Sequence, residues 1–68
     1  MQISARNKLS GKVVSITHGE AIANVELDVE GNRLVASITV EAVKELGITE
    51  GREVTAVIKA SDVMLAVD

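Results

Sequence analysis

The sequence predicts a mainly β fold of five short strands, with one short helix between the third and the fourth. Three observations carry that prediction. Apolar residues recur at every second position through most of the chain, which is the period of a half-buried strand. Glycines fall between those stretches, where the chain must turn. The apolar period lengthens to that of a helix in one place, after Thr39.

In the first strand, Leu9 to Thr17, the residues Leu9, Gly11 and Val13 alternate with Lys12, after which Val14 and Ile16 make both faces partly apolar. His18-Gly19 ends it in a turn. The second strand sets Val25, Leu27 and Val29 against Asn24, Glu26 and Asp28. Gly31-Asn32 is the next turn signal, and Leu34, Ala36, Ile38 and Val40 then share one face, with Val35, Ser37 and Thr39 on the other. From Glu41, Ala42, Val43 and Leu46 line one side of a short helix, with Thr39 as its N-cap and Gly47 closing it. Glu50-Gly51 turns into a fourth strand, in which Val54, Ala56 and Ile58 alternate with Thr55, Val57 and Lys59. After Ala60-Ser61-Asp62, the unbroken apolar run Val63 to Val67 reads as a fifth strand buried on both faces, against a neighbouring subunit. The order β-β-β-α-β-β is the layout of a small OB-like barrel.

Composition narrows the function. A chain of 68 residues is a single domain, 1–68, and lies below the roughly 70–80 residues at which one core is comfortably stable. Small domains compensate with disulfides, a structural metal or oligomerisation. There is no Cys, and a lone His18 cannot build a zinc site, so oligomerisation is the expected remedy. The apolar fraction of 47% and a mean hydropathy of +0.30 agree with a tight homo-oligomer. A net charge of −3 and the absence of Phe, Tyr and Trp argue against a nucleic-acid partner. No apolar run approaches the ~18 residues of a membrane span, and no signal segment is apparent; the expectation is a cytoplasmic protein without a membrane partner.

An enzyme is not expected. His18 is the one side chain with a near-neutral intrinsic pKa and reads as a solvated turn residue; there is no thiol, and the serines have no histidine partner. Glu26, Asp28 and Glu30 read as a wet strand face, and the glycines are too scattered for a phosphate loop. What stands out is Ser4-Ala5-Arg6-Asn7, with a hydroxyl, a guanidinium, a carboxamide and several N–H groups in four residues. Such a segment suits an anion. A second donor cluster is Lys59-Ala60-Ser61, at the junction of the last two strands.

Two signatures then link these clusters. The opening Ile3-Ser4-Ala5-Arg6-Asn7-Lys8-Leu9-Ser10-Gly11-Lys12-Val13 and the closing Thr55-Ala56-Val57-Ile58-Lys59-Ala60-Ser61-Asp62-Val63-Met64 resemble the Mop family, the molybdenum-pterin-binding proteins or molbindins; Ser37-Ile38-Thr39 and Val43-Lys44-Glu45-Leu46-Gly47 fit the same pattern. The resemblance implies a homo-hexamer, a trimer of dimers, that holds molybdate or tungstate between subunits. It implies a storage and homeostasis role, since 68 residues leave room for neither a DNA-binding nor an ATPase domain. By the same resemblance, Ser4, Ala5, Arg6 and Asn7 form one wall of the interface site. Thr39, Lys59, Ala60 and Ser61 form the other. Some relatives carry a serine where this chain has Ala42, which removes one donor. A second site on the threefold axis would draw on Gly19 and Glu20, or on Ser37 and Ile38. The alternative reading is an oligomeric protein-interaction or molybdopterin-carrier module without selective oxyanion binding.

Overall fold

The computed structural model describes Ser4 and residues 6–68. Four strands form one antiparallel sheet: β1 (Asn7–His18), β2 (Ile22–Val29), β3 (Asn32–Thr39) and β4 (Glu53–Ile58), in the order β3-β2-β1-β4. The helix α1 (Val40–Glu45) follows β3, and a 3-10 turn (Ala60–Asp62) follows β4. The mainly β class and the single helix between the third and fourth strands agree with the sequence.

A closed five-stranded barrel is not seen in the single chain: among the described residues the sheet has four strands and is open, with β3 and β4 each paired on one side only. Beyond the 3-10 turn, residues 63–67 pair with neither free edge, and Met64, Leu65 and Val67 are more than 90% exposed. The alternation in the sequence determines which residues can be strands, whereas strand status also requires a partner for the backbone N–H and C=O groups.

β1 is the spine of the sheet. Residues 7–12 pair with β4, from Asn7↔Ile58 to Lys12↔Glu53, and residues 12–18 pair with β2, from Lys12↔Asp28 to His18↔Ala23. A bulge at Val14 explains its two-sided apolar pattern. The register passes from Val13↔Leu27 to Ser15↔Glu26, so Val14 is left over and is 48% exposed. The inward phase thereby shifts from Gly11 and Val13 to Ile16, whose partner Val25 is buried.

β2 and β3 join through a two-residue loop with positive φ at both Glu30 (+52°) and Gly31 (+86°), a type I′ turn whose twist suits the flanking strands. The loop is therefore Glu30-Gly31, one residue earlier than Gly31-Asn32, and Asn32 already pairs with Val29. At six residues α1 is too short to persist alone. It is held by the Thr39 cap, by the Val40 amide donating to the Ala21 carbonyl (2.8 Å), and by Val43, which is buried. Val43 joins Val13, Ala23, Val25 and Leu27 in one buried core.

Candidate functional site

Pairing of β1 with β4 brings together the two donor clusters that are fifty residues apart in the sequence. Asn7 opposes Ile58, and its side-chain amide donates to the Ile58 carbonyl at 3.2 Å. Ser4 and Arg6, both exposed, thus approach the same sheet corner from one side while Lys59 leaves it from the other. Through this hydrogen bond the Asn7 side chain ties the first cluster to the end of β4.

Lys59 is extended (φ −64°, ψ 140°) and exposed, and it opens the 3-10 turn. Within that turn the Asp62 amide donates to the Lys59 carbonyl (2.9 Å) and the Val63 amide to the Ala60 carbonyl (3.3 Å). The amides of Ala60 and Ser61 donate to none of the described residues. This corner is cationic in an acidic chain. Arg6, Lys8 and Lys59 flank the Asn7–Ile58 pair, and Asp62 is the one carboxylate within residues 4–8 and 58–62. Ala5 lies outside the described residues.

Thr39 is not at this corner. It pairs with Ile22 at the end of β3, where β1 finishes at His18, so the length of β1 separates it from Asn7 in one chain. Its hydroxyl oxygen accepts from the Ala42 amide at 3.0 Å, which leaves the hydroxyl proton for a further acceptor. Around Thr39 a shallow depression is lined by Glu20, Ala21, Val40, Glu41 and Lys44. Two carboxylates against one lysine make a poor cradle for a dianion from one chain alone. The place of Lys44 beside Thr39 follows from how α1 folds back after β3, which the helix pattern does not report.

The residues considered for the axial site divide as well. The Gly19 amide donates to the Ile22 carbonyl (2.8 Å), and Glu20 beside it is exposed. Ser37 faces outward opposite Asn24, whereas Ile38 pairs with Ala23 and packs against the core. Among the described residues no group of three or more His, Asp or Glu side chains is placed to hold a metal cation, and no helix is long and apolar enough to cross a membrane.

This geometry can be set beside known proteins. A family model described as the TOBE domain matches residues 3–65. Molybdenum-pterin-binding protein 1 of Clostridium pasteurianum is 50% identical over 66 residues, covering 96% of this chain and 97% of that protein. A molybdate-binding protein from Sporomusa ovata has a similar solved structure, with a TM-score of 0.95 and 39% identity over 98% of this chain and all of that one. The cytoplasmic molybdate-binding protein ModG, solved with molybdate bound, superposes with a TM-score of 0.94 and 43% identity; this chain spans 49% of it. These relatives are binding proteins rather than enzymes. Matched along its whole length, the chain belongs to the TOBE-domain family, within the molybdenum-pterin-binding (Mop) proteins, and is not an enzyme.

Proposed function

We propose that this chain is a molybdate-binding protein that also accepts tungstate, acting as a cytoplasmic store built from a single Mop domain, residues 1–68. The observation that carries this reading is the pairing of Asn7 with Ile58, which assembles a donor-rich, cationic corner from both ends of the sequence. Molybdate at neutral pH is a fully deprotonated dianion, so it accepts hydrogen bonds and donates none. A fitting site presents donors only. The Ser4 hydroxyl, the N–H groups of Ala5, Arg6, Ala60 and Ser61, and the Lys59 ammonium supply them, while Asn7 fixes the spacing of the two segments. Arg6 orients its segment and offsets the negative charge.

In this reading Thr39 completes the site from a second chain. One chain places Thr39 and the Asn7–Lys59 corner at opposite ends of β1, so a site using both requires two copies. A trimer of such dimers is the homo-hexamer that the family resemblance implies. Gly19-Glu20 and Ser37-Ile38 remain the two segments available to a threefold axis. Glu20 would set three carboxylates near it, so backbone N–H groups must dominate any anion contact there.

Isothermal titration with molybdate, with sulfate and phosphate run in parallel and the assembly mass checked on the same sample, tests the function. The expected outcome is saturable molybdate binding with little response to the other two, displaced by tungstate. Lys59→Ala removes a charge-assisted contact of about 1.5–3 kcal/mol and is expected to weaken binding about tenfold to a hundredfold at unchanged mass. A well-folded oligomer that ignores molybdate would instead favour the protein-interaction or pterin-carrier reading.

A further inference from the structure

The face of the sheet opposite the core sorts its charges by row. Lys12 opposes Glu53 on β4 and Asp28 on β2, and Asp28 opposes Arg33 on β3, so one row crosses all four strands with alternating sign. Arg33 also pairs with Glu26 at 2.6 Å. Directly opposed side chains on a sheet stand about 5 Å apart, so Lys12 is compensated from both sides. Lys8 is not. Alternation along β1 and β4 puts Lys8 and Ser10 on this same face with Thr55 and Val57, all of them exposed.

The neighbours of Lys8 on that face are Val57 directly opposite, Ser10 two residues on, and Thr55 and Lys59 on the diagonals. None of them is a carboxylate. β2 pairs with β1 only from Lys12 onward, so no strand flanks Lys8 on its other side. Among the described residues no carboxylate lies within ion-pair distance of Lys8. Lys59 continues extended from β4 (φ −64°, ψ 140°), and the diagonal separation between the two lysines is about 7–8 Å. Along the strands the nearest carboxylate is Glu53, opposite Lys12 and four residues from Lys8. That is about 13 Å, beyond the Debye length of ~8 Å at physiological ionic strength. Asp62 alone stands against Arg6, Lys8 and Lys59 at the corner.

This charge separation matters because the chain as a whole repels a dianion. Residues 6–12 and 53–59 carry four cations, Arg6, Lys8, Lys12 and Lys59, against one carboxylate, Glu53, whereas the rest of the chain sets three cations against nine carboxylates. Like charges held close on one face destabilise a sheet, and an arriving anion relieves them. We infer that Lys8 is a specificity-determining residue of the proposed oxyanion site, a guiding charge that acts through space to favour dianions; this rests on the molybdate reading above. An ion beside Lys59 lies roughly 10 Å from Lys8, too far for a hydrogen bond and near enough for its field. Coulomb energy scales with the charge of the ligand, so a dianion gains twice what a monoanion of the same shape gains. The N–H donors act at contact, whereas the contribution of Lys8 fades as salt screens it.

Molybdate is titrated calorimetrically at ionic strengths of about 0.01 M and about 0.15 M into wild type, Lys8→Gln, Lys8→Glu, Lys8→Arg and Lys12→Gln, with the mass of each checked by light scattering. Lys8→Gln is expected to bind about threefold more weakly at the lower ionic strength and less than twofold more weakly at the higher. Lys8→Glu reverses the charge and should lose about tenfold at the lower ionic strength. Lys8→Arg should keep wild-type affinity. Lys12→Gln removes the same charge from a compensated and more distant position and should lose less than about twofold at both. All variants should keep the wild-type mass. Wild-type affinity in Lys8→Gln at low salt overturns the inference alone, and so does an equal loss in Lys12→Gln, which reports net charge rather than this residue. A loss that persists undiminished at the higher ionic strength makes Lys8 a direct ligand and overturns the through-space role. A Lys8 variant whose mass falls with its affinity assigns the residue to assembly and overturns the inference as well. A wild type that ignores molybdate at both ionic strengths overturns the anion reading itself, before any variant is compared.

Discussion

Glu30 carries a φ of +52°, a conformation that costs a residue with a Cβ on the order of 1 kcal/mol or more. The strain is local to the first position of the type I′ turn, where Asn is favoured, and the neighbouring Gly31 (φ +86°) meets the same demand without strain. Asp28 compensates in part, its carboxylate accepting from the Gly31 amide at 2.9 Å. Glu30→Asn is therefore expected to stabilise the chain by about 1 kcal/mol, a shift of several degrees in a domain of this size, measured by thermal unfolding at fixed protein concentration. Gly11 faces the opposite constraint. A Cβ there would meet Val29 Cγ2 at 2.9 Å and the Asp28 carbonyl oxygen at 3.0 Å, so Gly11→Ala is expected to cost about 1–3 kcal/mol in the same assay.

At the scale of elements, the connection from α1 to β4 depends on Arg52. Its Nη1 donates to the carbonyl of the C-cap Leu46 (3.2 Å) and to that of Gly47 just beyond it (2.8 Å), tying the helix end to the start of β4. Arg52→Ala should cost about 1 kcal/mol, since water can reach these exposed groups, and α1 should lose helicity before the sheet melts. The elements themselves were legible in the sequence. Alternation gave β2, β3 and β4, and Thr39 and Gly47 bracketed α1, which begins at Val40, one residue earlier than its pattern suggested. The bulge at Val14 was legible only as an anomaly, an apolar pair where alternation should hold. The run read as a fifth strand is unpaired within one chain, because apolar residues show that burial is required without showing where the partner lies. For the site, the residue types of Ser4–Asn7 and Lys59–Ser61 were visible, and their meeting at one corner is a product of strand register. Thr39 was grouped with them by resemblance alone, and a single chain keeps it at the far end of β1.

For the whole molecule, an anion site shared between chains makes ligand a stabiliser of the assembly. Molybdate at a hundred times its dissociation constant should add about 2.7 kcal/mol per independent site, seen as a melting temperature that climbs with ligand concentration; an unmoved transition would sink that reading. The division of β1 between two partners has a further consequence, for motion. Among the described residues the five buried ones lie on β1, β2 and α1; β3 and β4 have none, and β4 is held by six register pairs against eight for β3. By pairing, the most weakly held strand is the one that carries the Lys59 corner. In dissociated chains the amides of β4 should exchange with deuterium well before those of β2, and in the assembly that gap should close. The proposed binding corner is then the region that opens first, which would give a held ion an exit by local fraying while the rest of the sheet stays folded.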